Sequence, residues 1–116
     1  FGANLAGEHG GGAARQAYTD FGAEWGVGEG MTGQCYAFPT LNEDFSKVST
    51  TQLKESRRKL YKCANDNPDK EFLLTKVGCG IAGFSEERMK KIFANAPSNI
   101  TKPEDWQSNQ LEGGER

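Results

Sequence analysis

Two glycine clusters, each placed where a strand hands over to a helix, constrain this chain more than anything else in it. The first runs Asn4-Leu-Ala-Gly-Glu-His-Gly-Gly-Gly-Ala-Ala14, and the second is Gly78-Cys-Gly-Ile-Ala-Gly-Phe84. Glycine lets backbone amides approach a ligand with no side chain in the way. A helix that starts directly afterwards adds unpaired N–H groups and the positive end of its dipole. Two such loops in one small domain fit the jaws of a site for a phosphorylated ligand, most simply a diphosphate.

The length of 116 residues leaves room for one domain with a modest core. No apolar run approaches the ~20 residues of a membrane span. The net charge is −2 and the basic residues are scattered, so nothing in the charge pattern favours duplex nucleic acid. Cys35, Cys63 and Cys79 are odd in number and widely spaced, which fits neither a disulfide framework nor a zinc site. That usage, with no secretory signal in view, leads us to expect a reducing, cytoplasmic setting. Phe1-Gly2-Ala3 reads as the end of a strand whose beginning lies upstream.

Periodicity predicts a helix from Gly12 to Phe21, with Ala13, Ala17 and Phe21 on one face beside Ala14 and Tyr18, and Gly22 as its stop. Residues 26 to 33 carry four glycines and read as a turn-rich loop. Gln34 to Phe38 fits a short strand stopped by Pro39. Thr50 or Thr51 is placed to cap a helix reaching about Asn65, with Leu53, Leu60, Tyr61 and Ala64 inward and Lys54, Arg57, Arg58 and Lys62 outward. Glu71 to Val77 reads as the best strand in the chain and runs into the second glycine loop. Ser85 then caps a helix with Met89, Ile92 and Phe93 facing inward. A last short strand is expected around Ile100, with Trp106 as an anchor. Strands and helices alternate, so the expected class is α/β with ligand loops at the carboxyl ends of the strands.

The candidate residues divide by chemistry. Gly10-Gly11-Gly12 is not a Walker A motif, because no Lys-Ser or Lys-Thr follows. Nor is it a dinucleotide fingerprint, since the acidic residue expected some ~20 positions on is not at a strand end. His9, the only histidine, is either a polar solvent contact or within reach of a bound phosphate. One His without partners at ligand spacing makes no metal site. Glu29, between Gly28 and Gly30, is the most suggestive carboxylate for catalysis, and a surface turn explains it equally well. Cys79 lies in the second loop with no base in sequence view, which favours packing over nucleophilic catalysis. The basic face from Lys54 to Lys62 reads as solvated. No cofactor is indicated.

The spacing from Asn4 to Gly22 resembles the first ligand loop and helix of macro domains, the modules that bind ADP-ribose and in some branches hydrolyse its adducts. Asn4, Gly10, Gly11, Gly12 and Gly22 fall on that pattern without a gap, and Gly80-Ile81-Ala82-Gly83-Phe84 matches the second loop of the family. With Gly28-Glu-Gly30, Tyr36-Ala-Phe-Pro-Thr40 and Gly78 to Phe84, the chain is similar to small macro-like proteins of bacteria and their phages over residues 1 to 106. The resemblance implies a three-layer α/β/α sandwich with its first strand or strands missing or truncated. It also implies a ligand site in which Asn4 meets the distal ribose and Gly10 to Gly12 lie along ribose and diphosphate. Gly80 to Gly83 would wrap the diphosphate, and Phe84 would flank the ribose. Gly78 and Cys79 complete that loop, and His9 adjoins the first.

The departures are equally specific. The hydrolytic branch carries an acid two places after the glycine triplet, where this chain has Ala14. The Gln-Glu-Glu signature of poly(ADP-ribose) glycohydrolases is absent, and the adenine-reading aspartate of the family lies upstream of Asn4. Three functions are therefore in play. The chain is a reader or sequestering protein for ADP-ribose or a related nucleotide. Alternatively it is a glycohydrolase using Glu29 or another carboxylate, or a phage or host accessory protein whose loops hold a protein partner. Residues 107 to 116 are polar, lack apolar periodicity and read as a disordered tail. A chain ending after Gln107 is expected to keep its melting temperature; a large drop in thermal unfolding would show that the tail docks.

Overall fold

A computed structural model describes residues 1–107, so the tail expected over residues 107 to 116 lies, but for Gln107, outside the described residues. The polypeptide builds β1 (Gly2–Asn4), α1 (Gly12–Asp20), β2 (Gly30–Thr32), β3 (Cys35–Leu41), α2 (Thr50–Asp66), β4 (Phe72–Leu73), α3 (Glu86–Ile92) and β5 (Ile100–Thr101), and then a 3-10 turn at Glu104–Trp106. This is a mixed α/β fold with small sheets. β1 pairs parallel with β3, and β2 pairs antiparallel with it, giving the order β1-β3-β2. β4 and β5 form a separate parallel pair. Among the described residues no helix is long and apolar enough to cross a membrane.

The residues account for these elements and for the places where they depart from the sequence reading. β3 runs through Pro39 to Leu41 instead of stopping before it. Along β3, Tyr36 and Phe38 bond to Phe1, directly ahead of β1, so Pro39 turns its nitrogen to the β2 side, where pairing ends at Ala37. A proline costs nothing where no ladder partner exists. The glycine-rich stretch read as loop contains β2, which turns tightly into β3 with Gly33 in the left-handed region at φ 58°. The strand expected over Glu71 to Val77 is cut to Phe72–Leu73. Beyond Leu74 the backbone coils on itself, with the Val77 N–H donating to the Thr75 carbonyl at 2.7 Å.

α2 is capped by Ser49, one residue before the threonines, whose hydroxyl accepts from the Gln52 N–H at 3.0 Å. Its buried stripe is Leu53, Ser56, Leu60 and Ala64 at helical spacing. Ser56 is tolerated there because the Gln52 side-chain amide donates to its hydroxyl at 2.8 Å. Ser85 caps α3 as read, and Met89, Ile92 and Phe93 turn inward. α1 departs most. Of its anticipated apolar face only Ala17 is buried, while Tyr18 and Phe21 keep nearly half their surface exposed.

The core gathers Phe38 from β3, Leu53 and Leu60 from α2, Val77, Met89, Phe93, Ile100 and Trp106. Phe38 lies 5.0 Å from Phe93 centroid to centroid, and Phe93 stacks on Trp106 at 6.2 Å. The Trp106 indole N–H donates to Glu86, which also pairs with Lys76 at 3.0 Å. Lys76 in turn meets Asp105 at 2.8 Å, and these contacts hold both carboxyls below their usual range. Trp106→Ala should therefore lose about 3–5 kcal/mol of stability, the cost of emptying a large aromatic site. Urea unfolding monitored by circular dichroism is the check, and a loss under 1 kcal/mol would contradict the anchoring role.

Candidate functional site

The first glycine loop leaves β1 at Asn4, and the second begins beside it. A Cβ on Gly2 would stand 3.5 Å from the Gly78 nitrogen and 3.6 Å from the Val77 Cα. The two loops thus spring from adjacent backbone segments. Gly78 is nearly encased: a Cβ there would meet Phe84 at 3.1 Å, Met89 at 3.2 Å and Thr40 at 3.3 Å, and its φ is 80°. The loop closes when the Phe84 N–H donates to the Gly78 carbonyl at 2.8 Å and the Gly83 N–H to the Gly80 carbonyl at 3.0 Å. Ala82 turns inward, and Ile81 stands almost fully exposed at the tip.

Asn4 is buried and committed to the first loop. Its amide donates to the Glu8 carbonyl at 2.8 Å, and its side-chain oxygen accepts from the Glu8 N–H at 3.1 Å. Those two bonds fold Leu5 to Gly7 into a turn and leave Gly10, Gly11 and Gly12 projecting outward. A Cβ on any of those three, or on Gly80, would meet nothing within 4 Å. The open glycine edge is the feature both loops share.

His9 is buried rather than solvent-facing. Its Nε2 lies 2.9 Å from the Glu24 carbonyl and must carry the proton to donate to it, leaving Nδ1 with no partner among the described residues. Phe1 meets the imidazole edge-on at 5.4 Å, and Trp25 does so at 5.9 Å. Tyr18 packs against Trp25 at 5.4 Å. Cys79 is half-buried, and burial first and the charge of Glu86 second push its thiol above the usual range. A thiol so shifted stays protonated at neutral pH and is no activated nucleophile.

Glu29 is held elsewhere. One carboxylate oxygen lies 3.6 Å from Lys59 on α2, and the other is buried without a hydrogen-bond partner among the described residues. Its neighbour Gly28 is no free hinge, because a Cβ there would lie 2.2 Å from the Asn4 carbonyl oxygen.

Lys47 escaped the sequence reading. It belongs to the connection between β3 and α2, yet its ammonium donates to the Gly83 carbonyl at 3.2 Å and lies 5.0 Å from the centre of the Phe84 ring. A contact spanning 36 residues leaves no local pattern to find. The second loop thereby gains a cation that its own residues lack. Compared with models of protein families, with curated proteins and with solved structures, the chain matches none.

Proposed function

We propose that this chain is a macro-type α/β/α domain that binds ADP-ribose or a closely related nucleotide between its two glycine loops, as a reader or sequestering protein. The observation that carries the reading is the open backbone edge at Gly10–Gly12 and at Gly80, on loops that leave adjacent segments. Amides without side chains in front of them suit phosphate oxygens. Lys47 supports the same reading by putting positive charge beside Gly83. ADP-ribose at 100 times its dissociation constant should raise stability by about 2.7 kcal/mol in a thermal-shift assay.

Gly11→Glu and Gly80→Glu test the loops directly. Gly11 has extended backbone at φ −159°, and neither position crowds a Cβ, so both variants should keep the parent melting temperature. Each places bulk and negative charge against phosphate and should weaken binding at least about tenfold, or ~1.4 kcal/mol. Two folded variants that bind ADP-ribose like the parent would remove the loops from the site.

The reading also favours binding over turnover. Hydrolysis at the distal ribose needs a group that orients or deprotonates water. Ala14 supplies none at the position where the hydrolytic macro domains carry an acid, and Glu29 is engaged with Lys59. The parent should turn over ADP-ribosylated protein and O-acetyl-ADP-ribose slowly or not at all. Fast turnover that Glu29→Gln abolishes would replace the binder with an enzyme.

A further inference from the structure

The turn between β3 and α2 touches both glycine loops. At its entry the Leu41 carbonyl accepts from the Leu5 N–H at 2.9 Å, at the root of the first loop. At its exit Lys47 faces Leu41 across an antiparallel bridge and donates to the Gly83 carbonyl of the second loop at 3.2 Å. Between them stands Phe45, half exposed, with its backbone in the left-handed region at φ 67°. Among the described residues one other non-glycine residue lies in that region, Asn95, whose short amide side chain tolerates it. For a bulky aromatic residue the same φ is an outlier. We propose that Phe45 is the stacking surface for a planar heteroaromatic ring of the bound nucleotide, which makes this turn a third wall of the site. The inference rests on the nucleotide-binding reading above and concerns the part of the ligand that the glycine loops leave unaddressed.

The turn closes without help from the ring. The Phe45 N–H donates to the Asn42 carbonyl at 3.0 Å, and the Asn42 N–H donates to the Ser46 carbonyl at 2.7 Å. The Asn42 side-chain amide donates to the Ser46 hydroxyl and to the Lys47 carbonyl, each at 3.1 Å. Asp44 accepts from the Ser46 N–H at 3.0 Å and from its hydroxyl at 2.6 Å. None of these bonds involves the side chain at position 45, and glycine or asparagine would take the same backbone without the steric cost. Strained residues persist where their surroundings over-determine them, and they gather at ligand clamps. A single exposed apolar side chain is ordinary in itself. One held out on strained backbone, in a turn that touches both candidate ligand loops, is not.

Charge indicates which part of the ligand the turn receives. Glu43 and Asp44 directly precede Phe45, so the tip of the turn repels phosphate. Phosphates stay with the open amides of Gly10–Gly12 and Gly80 and with Lys47. What suits Phe45 is an uncharged or cationic flat ring, since a π face accepts any base regardless of its hydrogen-bonding edge. The adenine of ADP-ribose has that chemistry, and so does the nicotinamide of NAD.

Calorimetric titration of the parent, Phe45→Asn and Phe45→Trp with ADP-ribose, NAD and inorganic pyrophosphate tests the assignment. Phe45→Asn should melt no lower than the parent, because asparagine accepts the left-handed backbone. It should bind a ring-bearing ligand at least about tenfold more weakly while binding pyrophosphate unchanged. Phe45→Trp should keep the parent affinity. Loss with both ADP-ribose and NAD assigns the stacked ring to adenine, and loss with NAD alone assigns it to nicotinamide. If Phe45→Asn binds both nucleotides as tightly as the parent, the proposal is overturned and the nucleotide site stands. Equal weakening of pyrophosphate and ADP-ribose would also overturn it, since the turn would then act through the loops instead of on a ring. A parent that binds none of the three ligands would overturn the nucleotide reading itself, and the stacking role with it.

Discussion

Backbone packed directly on backbone, with no room for a Cβ between, is the constraint on which the first half of this structure depends. At Gly28 a Cβ would lie 2.2 Å from the Asn4 oxygen, and at Gly7 it would lie 2.2 Å from the Gly26 carbonyl carbon. At Gly33 the same distance separates it from the Gly22 oxygen. These contacts lay the segment from Gly22 to Gly33 flat against the first loop and the end of α1. The Gly26 N–H then donates to the Gly7 carbonyl at 2.8 Å, and the Glu24 N–H donates to the Thr32 hydroxyl at 2.7 Å. Glycine here supplies thinness. Any side chain at Gly28 would lift the β2 segment off the turn that Asn4 organises.

The second half is held by a different physics. Phe38, Phe93 and Trp106 run through the core from β3 across α3 to the 3-10 turn, and α2 lays Leu53 and Leu60 over them. Helix propensity contributes little to a seven-residue helix such as α3, because nucleation is costly and short helices are marginal alone. Burial of Met89 and Ile92 and the Ser85 cap keep it formed. Arg57 and Tyr61 tie the two helices further by donating to the Ile92 and Ala94 carbonyls. The second glycine loop is seated on this core through Gly78, which has Phe84, Met89 and Thr40 around it.

What could be read from the sequence was local or periodic. The Ser85 cap, the inward set Met89, Ile92 and Phe93, and the α2 stripe through Leu53, Leu60 and Ala64 follow from spacings of three or four residues or from one capping hydroxyl. The misses came from long-range geometry. β2 looked like loop because its glycines resemble turn residues until the surfaces they meet are known. Pro39 looked like a stop because nothing in the sequence tells which edge of a strand lacks a partner. At the candidate site, the open glycines at Gly10–Gly12 and Gly80 were legible, whereas the burial of His9, the Glu29–Lys59 pair and the reach of Lys47 to Gly83 were not. Each of those joins residues from different elements.

β1 is only three residues long, yet it touches β3 on one side and Val77–Gly78 on the other. The two glycine loops therefore leave from backbone segments that touch, and β1 sets where the first of them begins. Sliding β1 by one residue would carry Asn4 and its turn along the sheet while Gly78 stayed fixed on Met89. The loops would then face each other out of step. A strand of three residues thus fixes where the first loop starts relative to the second.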